Sequence, residues 1–345
     1  MRNSERKYRG PQFILTLLGI LVVVCLTVHV MVGGTDNFWP WQIVREIFRG
    51  HLSNDQATEI NTVVWAIRLP RALSCVFVGG ILGLVGSAFQ AQLRNPLAEP
   101  YIVGVSSGAA IGSAIAMIVG IDVWFGGLGS AVFGFITGLI SLAIVFGLAR
   151  RKGVVDVTTL LLAGVVVGSL MASLLSLCLL LAGKDTNMVL MWLLGSMGAA
   201  DFKKDALLFV VMILGAGILV RQTRLLNAFA VGEDAALRMG VDIAKLRKTV
   251  LVTGTAMTAT AVGTVGIVGF LGLVAPHIAR RILGVDWRYS LIGSGLIGSM
   301  LLLAADLLGQ RLGMMFGTVI GDLPVGIVTA VIGAPSLLIL LRKRG

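Results

Sequence analysis

The chain has 345 residues, of which 57% are hydrophobic and only 13% are charged, and its mean hydropathy is +0.94. Soluble domains carry about 25% charged residues, so this composition excludes a water-soluble globule of this length. The apolar residues fall in blocks of about 20, the length that a helix needs to cross a bilayer, and the alternating segments of an outer-membrane barrel are missing from the sequence. The sequence therefore predicts an all-α, polytopic membrane helix bundle.

The first apolar block, residues 11–33, follows a basic N-terminal stretch. It is too long for the apolar region of a signal peptide, and no small-residue cleavage pattern follows it, so we expect a retained first span. An outer loop of about 34–68 comes next. It contains aromatic residues at 38–41 that suit the lipid headgroup region, and the apolar positions Ile43, Val44, Ile47 and Phe48 suit a helix lying on the membrane surface.

Hydropathy predicts ten spans in all. They lie near 11–33, 69–92, 100–120, 124–149, 157–183, 205–221, 248–265, 267–283, 289–309 and 323–341. The stretch 248–283 is too long for one helix, and Gly263, Gly266 and Gly269 indicate a break within it. Two spans, or one span with a re-entrant segment, both fit this pattern.

The distribution of charge sets the orientation. Ten spans with a cytoplasmic N-terminus place most of the 28 basic residues on the inner face, as the positive-inside rule requires. A nine-span chain would instead place the basic cluster 342–344 outside. The basic excess is therefore explained by topology, and nucleic-acid binding is not predicted. We expect a multi-pass membrane protein with both termini in the cytoplasm.

Two loops are long enough to carry function: the outer one at about 34–68 and an inner one at about 222–247. Neither is large enough for a catalytic domain, so residues 1–345 are interpreted as a single transmembrane domain. The three cysteines, Cys25, Cys75 and Cys178, lie within apolar stretches without CxxC spacing. They are interpreted as buried apolar side chains and not as a zinc site or a disulfide.

Enzyme motifs are absent or incomplete. The single Gly-Lys pair, Gly183-Lys184, lacks the other residues of a phosphate-binding loop, so the chain is not expected to hydrolyse ATP. Residues 104–108 match the G-x-S-x-G pattern of a serine hydrolase, but no strand precedes them and a membrane span follows. Small-residue helix packing explains this pattern better, and no catalytic residue is predicted.

The spans contain few ionisable residues, and each is a candidate for function because a charge is costly within a membrane. The histidines His29, His51 and His277 have no metal-ligand spacing, so no metal site is predicted. His277 is the one that we expect in the bundle core, in a structural role. Asp306 lies inside the ninth span, where an acid is costly to bury and is a functional candidate by default. A wet cavity or a helix-end amide could also satisfy it.

Several linked segments resemble the FecCD-type permeases of ABC importers for iron-siderophores, haem and vitamin B12. The resemblance extends from about residue 60 onward. Its motifs are the RLPR sequence at 68–71, Gln90, NPLAEP at 95–100, GVSSGA at 104–109, GFLGLVAPHIAR at 269–280, LPVGIVTA at 323–330 and IGAP at 332–335. The resemblance implies a type II ABC importer permease fold with ten helices in each subunit.

The same resemblance implies the partners. They are a second copy of this chain, two ABC ATPase subunits that carry ATP and Mg²⁺, and an outer substrate-binding protein; the chain itself binds no cofactor. The cargo would be an iron complex, such as a siderophore or haem, or vitamin B12, and the sequence does not choose among them. The alternative is a secondary transporter driven by an ion gradient, which would need intramembrane acids or ion sites at broken helices.

The resemblance also assigns candidate site residues. Residues 226–240 are interpreted as one short helix that ends at Gly240, with Asp242 capping a second short helix. Together they would form a rigid projection that couples to the ATPase, and its candidate contacts are Leu226, Gly232, Glu233, Ala236, Leu237 and Gly240.

Outer arginines in this family meet carboxylates on the binding protein, and Arg68, Arg71 and Arg311 are the candidates here; Arg68 and Arg71 could also be interfacial anchors. Asp322 stands where the family commonly has Glu, in a gating or packing role. The translocation pathway is assigned to the fifth and tenth spans, and its candidates in the fifth are Gly164, Gly168, Ser169, Ser173 and Ser176.

Overall fold

The computed structural model describes residues 10–33, 41, 62–101, 104–151, 154–315 and 322–342. The described chain is a helix bundle, and this confirms the predicted all-α class. Its helices are α1 (Pro11–Val32), α2 (Leu69–Leu93), α3 (Val105–Ile118), α4 (Ile121–Trp124), α5 (Gly129–Ala149), α6 (Val157–Leu181), α7 (Thr186–Leu193), α8 (Phe202–Val231), α9 (Glu233–Arg238), α10 (Ile243–Val265), α11 (Leu271–Leu283), α12 (Trp287–Met315) and α13 (Val325–Arg342).

Smaller elements join these helices. A π-helical turn, Val63–Arg68, runs directly into α2, and a 3₁₀ turn, Gly183–Asp185, precedes α7. The strands β1 (Arg150–Arg151) and β2 (Val154–Val155) pair in antiparallel fashion between α5 and α6. The sequence did not predict this pairing, because the segment is too short to show a strand pattern.

Each of the ten predicted spans coincides with one helix of the described chain. By length and apolar composition, five of these helices could cross a membrane, and the count rises to six if the bent α8 is taken as one span. The ten-span count therefore stays a prediction. Helix α8 bends by 46° between Arg221 and Thr223.

Two helices extend beyond their predicted ends. Helix α8 continues to Val231, because Leu226 and Phe229 are buried on the bundle and no Gly or Pro interrupts the turns before Gly232. Helix α12 continues to Met315, which places Arg311 on a helix and not in the outer loop. The predicted surface helix at 43–48 lies outside the described residues.

The centre of the bundle is the antiparallel pair α2 and α12. Small residues bring the two backbones together: a Cβ added at Gly79 would lie 2.4 Å from the Gly298 carbonyl oxygen, and one added at Gly83 would lie 2.1 Å from the Ser294 carbonyl oxygen. Close approach of this kind is how helices gain packing energy where lipid offers no hydrophobic drive. Within the continuous helical segment Val63–Leu93, 83% of the most hydrophobic 18-residue stretch is buried inside the bundle.

The predicted break within 248–283 is present. Helix α10 ends at Val265, and Gly266 adopts φ +82, in the left-handed region that favours glycine. A non-helical segment, 266–270, then leads to α11. Its backbone is bonded to neighbouring segments, since the Ile267 amide donates to the Leu193 carbonyl at 3.3 Å.

The loop between α2 and α3 meets this broken segment. The Tyr101 hydroxyl donates to the Val268 carbonyl at 2.8 Å, and the Phe270 amide donates to Glu99 Oε1 at 2.7 Å. Gln90 Nε2 donates to the Gly272 carbonyl at 3.1 Å. Non-helical backbone within a membrane is tolerated where its polar groups are satisfied by protein. Tyr101 and Glu99 bond the broken segment here, and Gln90 bonds the first turn of α11.

Candidate functional site

The first candidate site is the projection formed by residues 226–240, which we call the knob. It consists of the last turns of α8, the short helix α9 and the turns at Gly232 and Gly240. Gly232 adopts φ +154 and ψ 151, and Gly240 adopts φ +80. Both conformations favour glycine, so the two glycines allow the chain to reverse on either side of α9.

The prediction of one short helix over 226–240 is wrong, because the first residues of this range belong to α8. The prediction of a second short helix capped by Asp242 is wrong in part. Asp242 does cap a helix, accepting from the Lys245 amide at 2.9 Å, but that helix is α10, which runs to Val265. Helix α8 therefore runs into the knob, and α10 begins just after it.

The knob has a buried side and an exposed tip. Leu226, Phe229 and Ala236 are no more than 1% exposed and fix the knob to the bundle. At the tip, Leu237 is 55% exposed and Met239 is 57% exposed. A group of exposed large apolar side chains on a rigid support is typical of a surface that a partner covers.

A second contact fixes the knob to the turn between α11 and α12. Asn227 Nδ2 donates to Asp286 Oδ1 at 2.8 Å, and the Trp287 amide donates to Asn227 Oδ1 at 3.0 Å. The Arg280 guanidinium lies 5.7 Å from the centroid of the Trp287 ring, within cation–π range. The turn that joins α11 and α12 is therefore bound directly to the knob. The sequence contained no signal for Asn227, because its partner is 59 residues away.

Acidification should remove the local ion pair of Asp286 with Arg288 and, to a smaller degree, weaken the hydrogen bond of Asp286 with Asn227 of the knob. The side-chain hydrogen bond from Arg288 lowers the pKa of Asp286 to about 2, with a further contribution from Asn227 and an opposing one from burial. The pKa of Asp in an unfolded chain is about 3.9. Because the folded pKa is the lower one, this stabilisation is present above about pH 4 and is lost as the pH falls toward 2.

We expect the melting temperature of the purified protein to fall less between pH 5 and pH 3 in Asp286→Asn than in the wild type. Differential scanning fluorimetry in detergent measures this difference. Asp234→Asn, which changes an exposed knob acid outside this contact, is the matched control. Parallel pH profiles in wild type and Asp286→Asn would contradict the assignment.

The second candidate site is a buried polar cluster where α1, α2 and α12 meet. Asp306 is 1% exposed. Arg71 binds its carboxylate in bidentate fashion, with Nε at 2.8 Å from Oδ2 and Nη2 at 2.9 Å from Oδ1. Gln310 Nε2 donates to Oδ2 at 2.7 Å, and His29 Nε2 lies 2.9 Å from the same oxygen. Asp306 is thus satisfied by side chains, a solution that the sequence analysis did not consider beside a wet cavity and a helix-end amide.

Further contacts join this cluster to the rest of the outer end. Arg71 Nη1 also donates to Asp322, whose side chain is 39% exposed, just before α13. Arg68 is 3% exposed, and its Nη1 donates to the Val30 carbonyl at 3.2 Å at the end of α1. The cluster therefore ties α1, α2, α12 and the start of α13 together.

The sequence prediction for the histidines needs one correction. His29 is 1% exposed within the bundle, whereas His277 is only partly buried. The signal that could have identified His29 is its position as an ionisable residue inside an apolar span.

The cluster also contains potential metal ligands. Ligand atoms of His29, Cys75 and Asp306 lie within 4.8 Å of one another, and all three residues are buried. The Arg71 guanidinium occupies both carboxylate oxygens of Asp306, however, and its positive charge opposes a cation at this place. The donor set fits an ion-pair network better than a metal centre.

The predicted docking arginines occupy different environments. Arg68 is buried inside the chain and Arg71 is engaged with two acids, so in this conformation neither guanidinium is presented at the surface. Arg311 is exposed, and its Nη2 donates to the Val32 carbonyl at 2.8 Å.

The candidate pathway residues separate into two groups on α6. Gly164 and Gly168 contact Gly104 at the start of α3, since a Cβ at Gly104 would lie 3.0 Å from the Gly164 carbonyl oxygen. These glycines are therefore packing residues. The three hydroxyl residues lie on the exposed side of α6: Ser169, Ser173 and Ser176. Only 11% of the most hydrophobic 18-residue stretch of α6 is buried inside the described chain. The stripe of serine hydroxyls is therefore accessible to a partner or to a transported molecule.

The G-x-S-x-G segment forms the first turns of α3 and serves packing. A Cβ added at Gly108 would lie 2.6 Å from Ser141 Cβ on α5, so the glycine is needed for the close approach of the two helices. Its predicted packing role is consistent with this contact.

The full chain was compared with known proteins. The model of the FecCD transport family matches residues 20–343. The cobalamin import system permease protein BtuC of Halobacterium salinarum is 33% identical over 335 residues, covering 96% of this chain and 87% of that protein. The ferric enterobactin transport system permease protein FepG of Escherichia coli is 36% identical over 295 residues, covering 84% and 85%.

The fold also matches a solved structure. An inward-facing ABC transporter of the metal-chelate type aligns with a TM-score of 0.81 at 28% identity, covering 96% of this chain and 99% of the other. This match confirms the predicted type II ABC importer permease fold. Since the family model covers most of the sequence, this chain is a membrane permease that belongs to the FecCD transport family.

Proposed function

We propose that this chain is the transmembrane permease subunit of an ABC importer of the bacterial inner membrane, with both termini in the cytoplasm. Two copies of the chain would form the channel, two separate ABC ATPases would bind ATP and Mg²⁺, and an outer binding protein would deliver the cargo. The chain itself would carry no cofactor and no catalytic residue. The cargo class is an iron complex (a siderophore or haem) or vitamin B12, as the names of its relatives suggest.

The observation that supports coupling to an ATPase is the construction of the knob. Its exposed tip offers Leu237 and Met239 to a partner, while its buried side and Asn227 connect it to α10, α11 and α12. Glu233, Gly232 and Gly240 would shape the surface around this tip. A closing ATPase would push the tip, and the connected helices would open or close the pathway.

Replacing the exposed tip should uncouple the permease from its ATPase. We expect Leu237→Glu to reduce co-purification of the ATPase by about tenfold or more, because a buried apolar anchor at an interface contributes about 2 kcal/mol or more. Pull-down of the co-expressed complex followed by uptake of the labelled cargo in cells measures both losses.

Leu237→Met keeps the apolar surface and is the matched control. Normal assembly and uptake in Leu237→Glu would contradict the coupling role of the tip. A melting temperature close to that of the wild type would show that the variant is folded, since Leu237 is exposed and the knob is held by other residues.

Binding-protein docking is proposed at the outer ends of α2 and α12. Arg311 is exposed there, and Arg71 becomes available when a carboxylate of the binding protein replaces Asp322. Arg68 would support this surface from inside. The exposed hydroxyl stripe of α6, at Ser169, Ser173 and Ser176, would line the pathway between the two copies, where weakly polar groups let a bulky chelate pass without tight binding.

The alternative function is a secondary transporter driven by an ion gradient. The broken segment between α10 and α11 is a feature of that class, but its backbone groups are bonded to protein, and Asp306 is paired with Arg71. Proteoliposomes that contain the permease, its ATPase and its binding protein separate the two. We expect uptake that requires ATP and persists without an ion gradient; gradient-driven uptake without nucleotide would support the alternative.

A further inference from the structure

A cavity of about 950 Å³ opens between α5, α9 and the first turns of α10. Its α5 wall is one face of that helix and includes Leu139, Ala143 and Phe146; Val252 of α10 stands opposite. The floor and walls are therefore apolar along most of the length of the cavity.

One end of the cavity is basic. Arg150, Lys245 and Lys248 line it and are exposed, and none of the three forms an ion pair with another residue that the structure describes. Two acids also line the cavity, but both are engaged: Glu233 lies 3.6 Å from Arg247, and Asp242 accepts the Lys245 amide as the cap of α10. The charged residues that line this end therefore carry a net positive charge.

The dimensions of the cavity match one leaflet of a bilayer. Leu139 and Arg150 are eleven residues apart on or next to α5, which corresponds to about 16 Å at about 1.5 Å per residue. Half of a hydrocarbon core is about 15 Å. The basic end lies on the predicted cytosolic side, and the apolar part extends from there into the membrane.

The outer surface of α5 beside the cavity is also suited to lipid. Ile140 is 50% exposed and Leu148 is 56% exposed, and both belong to a continuous apolar stripe along that helix. A chain leaving the cavity would pass directly onto this stripe.

We propose that this cavity binds an anionic phospholipid of the inner leaflet. Its phosphate would contact Arg150, Lys245 and Lys248, as basic pockets between membrane helices on the cytoplasmic side do, and one acyl chain would lie along Leu139 and Phe146. A water-soluble partner could reach the basic end but could not follow the apolar part into the membrane. The proposal uses the cytosolic orientation of this end and is otherwise independent of the proposed cargo.

Because Glu233 and Leu237 of the knob also line the cavity, a bound lipid would contact the element that we assign to ATPase coupling. The lipid would fill the space between α9, α5 and α10 and would contact all three helices. Anionic lipid would therefore support the position of the knob.

Native mass spectrometry of the purified protein tests the proposal, after reconstitution in nanodiscs of phosphatidylglycerol mixed equally with phosphatidylcholine. We expect one phosphatidylglycerol to be retained for each protomer in preference to phosphatidylcholine. The triple variant Arg150→Gln, Lys245→Gln and Lys248→Gln should lower the affinity for it by about one hundredfold, because each cation near a headgroup contributes about 1 kcal/mol.

The matched control removes three other exposed basic residues from the same predicted face: Arg221→Gln, Arg224→Gln and Arg281→Gln. It should retain the lipid. Gly147→Trp keeps every charge but fills the cavity, since a Cβ at Gly147 meets no atom within 4 Å, and it should lose the lipid as well. Equal retention of both lipids by the wild type, or equal loss in the control, would overturn the proposal.

A separate result would identify the ATPase as the occupant instead. In that case the wild type would retain no phosphatidylglycerol alone, and crosslinks from a cysteine placed at Ala143 would form only with the added ATPase. That outcome would overturn the lipid site while leaving the proposed permease function intact. Conversely, lipid retention without any ATP-driven uptake would contradict the proposed permease function and would still support the lipid site.

Discussion

Asp306→Ala should destabilise the folded protein by about 3–5 kcal/mol, because it leaves the Arg71 guanidinium without its buried carboxylate partner. Asp306 is 1% exposed and accepts two hydrogen bonds from Arg71 and one from Gln310. Asp322 would still bind one nitrogen of Arg71, but it is partly exposed and lies before α13. The remaining donors of Arg71 and Gln310 would lose their carboxylate acceptor.

The loss of stability is large because the variant leaves one buried charge without its partner. The intact ion pair itself contributes little net stability. Replacing a whole buried pair by apolar residues of similar volume is often neutral or stabilising. The double variant Arg71→Met, Asp306→Leu should therefore be more stable than Asp306→Ala. Unfolding in detergent, followed by tryptophan fluorescence against denaturant, measures the free energies. A double-mutant cycle that adds the single variants Arg71→Met and Asp306→Leu gives the coupling energy.

A cost below about 1 kcal/mol for Asp306→Ala would contradict this interpretation and would indicate that water reaches the carboxylate. A double variant as unstable as Asp306→Ala would indicate instead that packing around the helix pair, and not the uncompensated Arg71 charge, dominates the loss. Gln310→Leu serves as a control, since it removes one donor and leaves the ion pair in place.

The sequence predicted the parts of the fold that depend on local pattern. Apolar length located the helices, and glycine located the break at Gly266, because both signals lie within a short stretch of chain. The ends of α8 and α12 were missed because burial of Phe229 and Gln310 in the folded bundle extends them beyond the apolar blocks. Tertiary packing overrides local propensity at such ends.

The candidate sites were predicted less completely, for the same physical reason. Asp306 was identified from its cost of burial, but its partners Arg71 and His29 stand 235 and 277 residues away, so no spacing could connect them. Arg71 was assigned to docking through its family motif, and the structure adds an internal role. Gly232 and Gly240 were assigned to ATPase coupling through the family resemblance, and that role stays a prediction. The structure corrects the local element, since Gly232 separates α8 from α9 and does not lie inside one helix.

The α2–α12 packing and the Arg71–Asp306 pair are two results of one helix register. Gly79 faces Gly298, and Arg71 faces Asp306 eight residues further along both antiparallel helices. The Gly79–Gly298 contact allows the backbones to approach, and the approach brings the guanidinium to the carboxylate. A change that separates the helices at the contact should therefore also weaken the ion pair.

Gly298→Ala should be strongly destabilising, by about 1–3 kcal/mol or more, because the new Cβ would lie 2.2 Å from the Gly79 carbonyl oxygen. Backbone cannot turn aside as a flexible side chain can, so α2 and α12 must move apart. Gly217→Ala is the matched control: a Cβ there meets no atom within 4 Å, and alanine in a helix interior is favoured over glycine by roughly 0.5–1 kcal/mol.

The combined variant tests the link between packing and charge. If Gly298→Ala already separates Arg71 from Asp306, then Asp306→Ala should cost less in that background than in the wild type, and the two effects should not add. Denaturant unfolding of the wild type, both single variants and the double variant gives this difference. Additive effects would show that the helix pair can open at Gly298 while the ion pair stays closed, and the register would then be held at the outer end by the cluster itself.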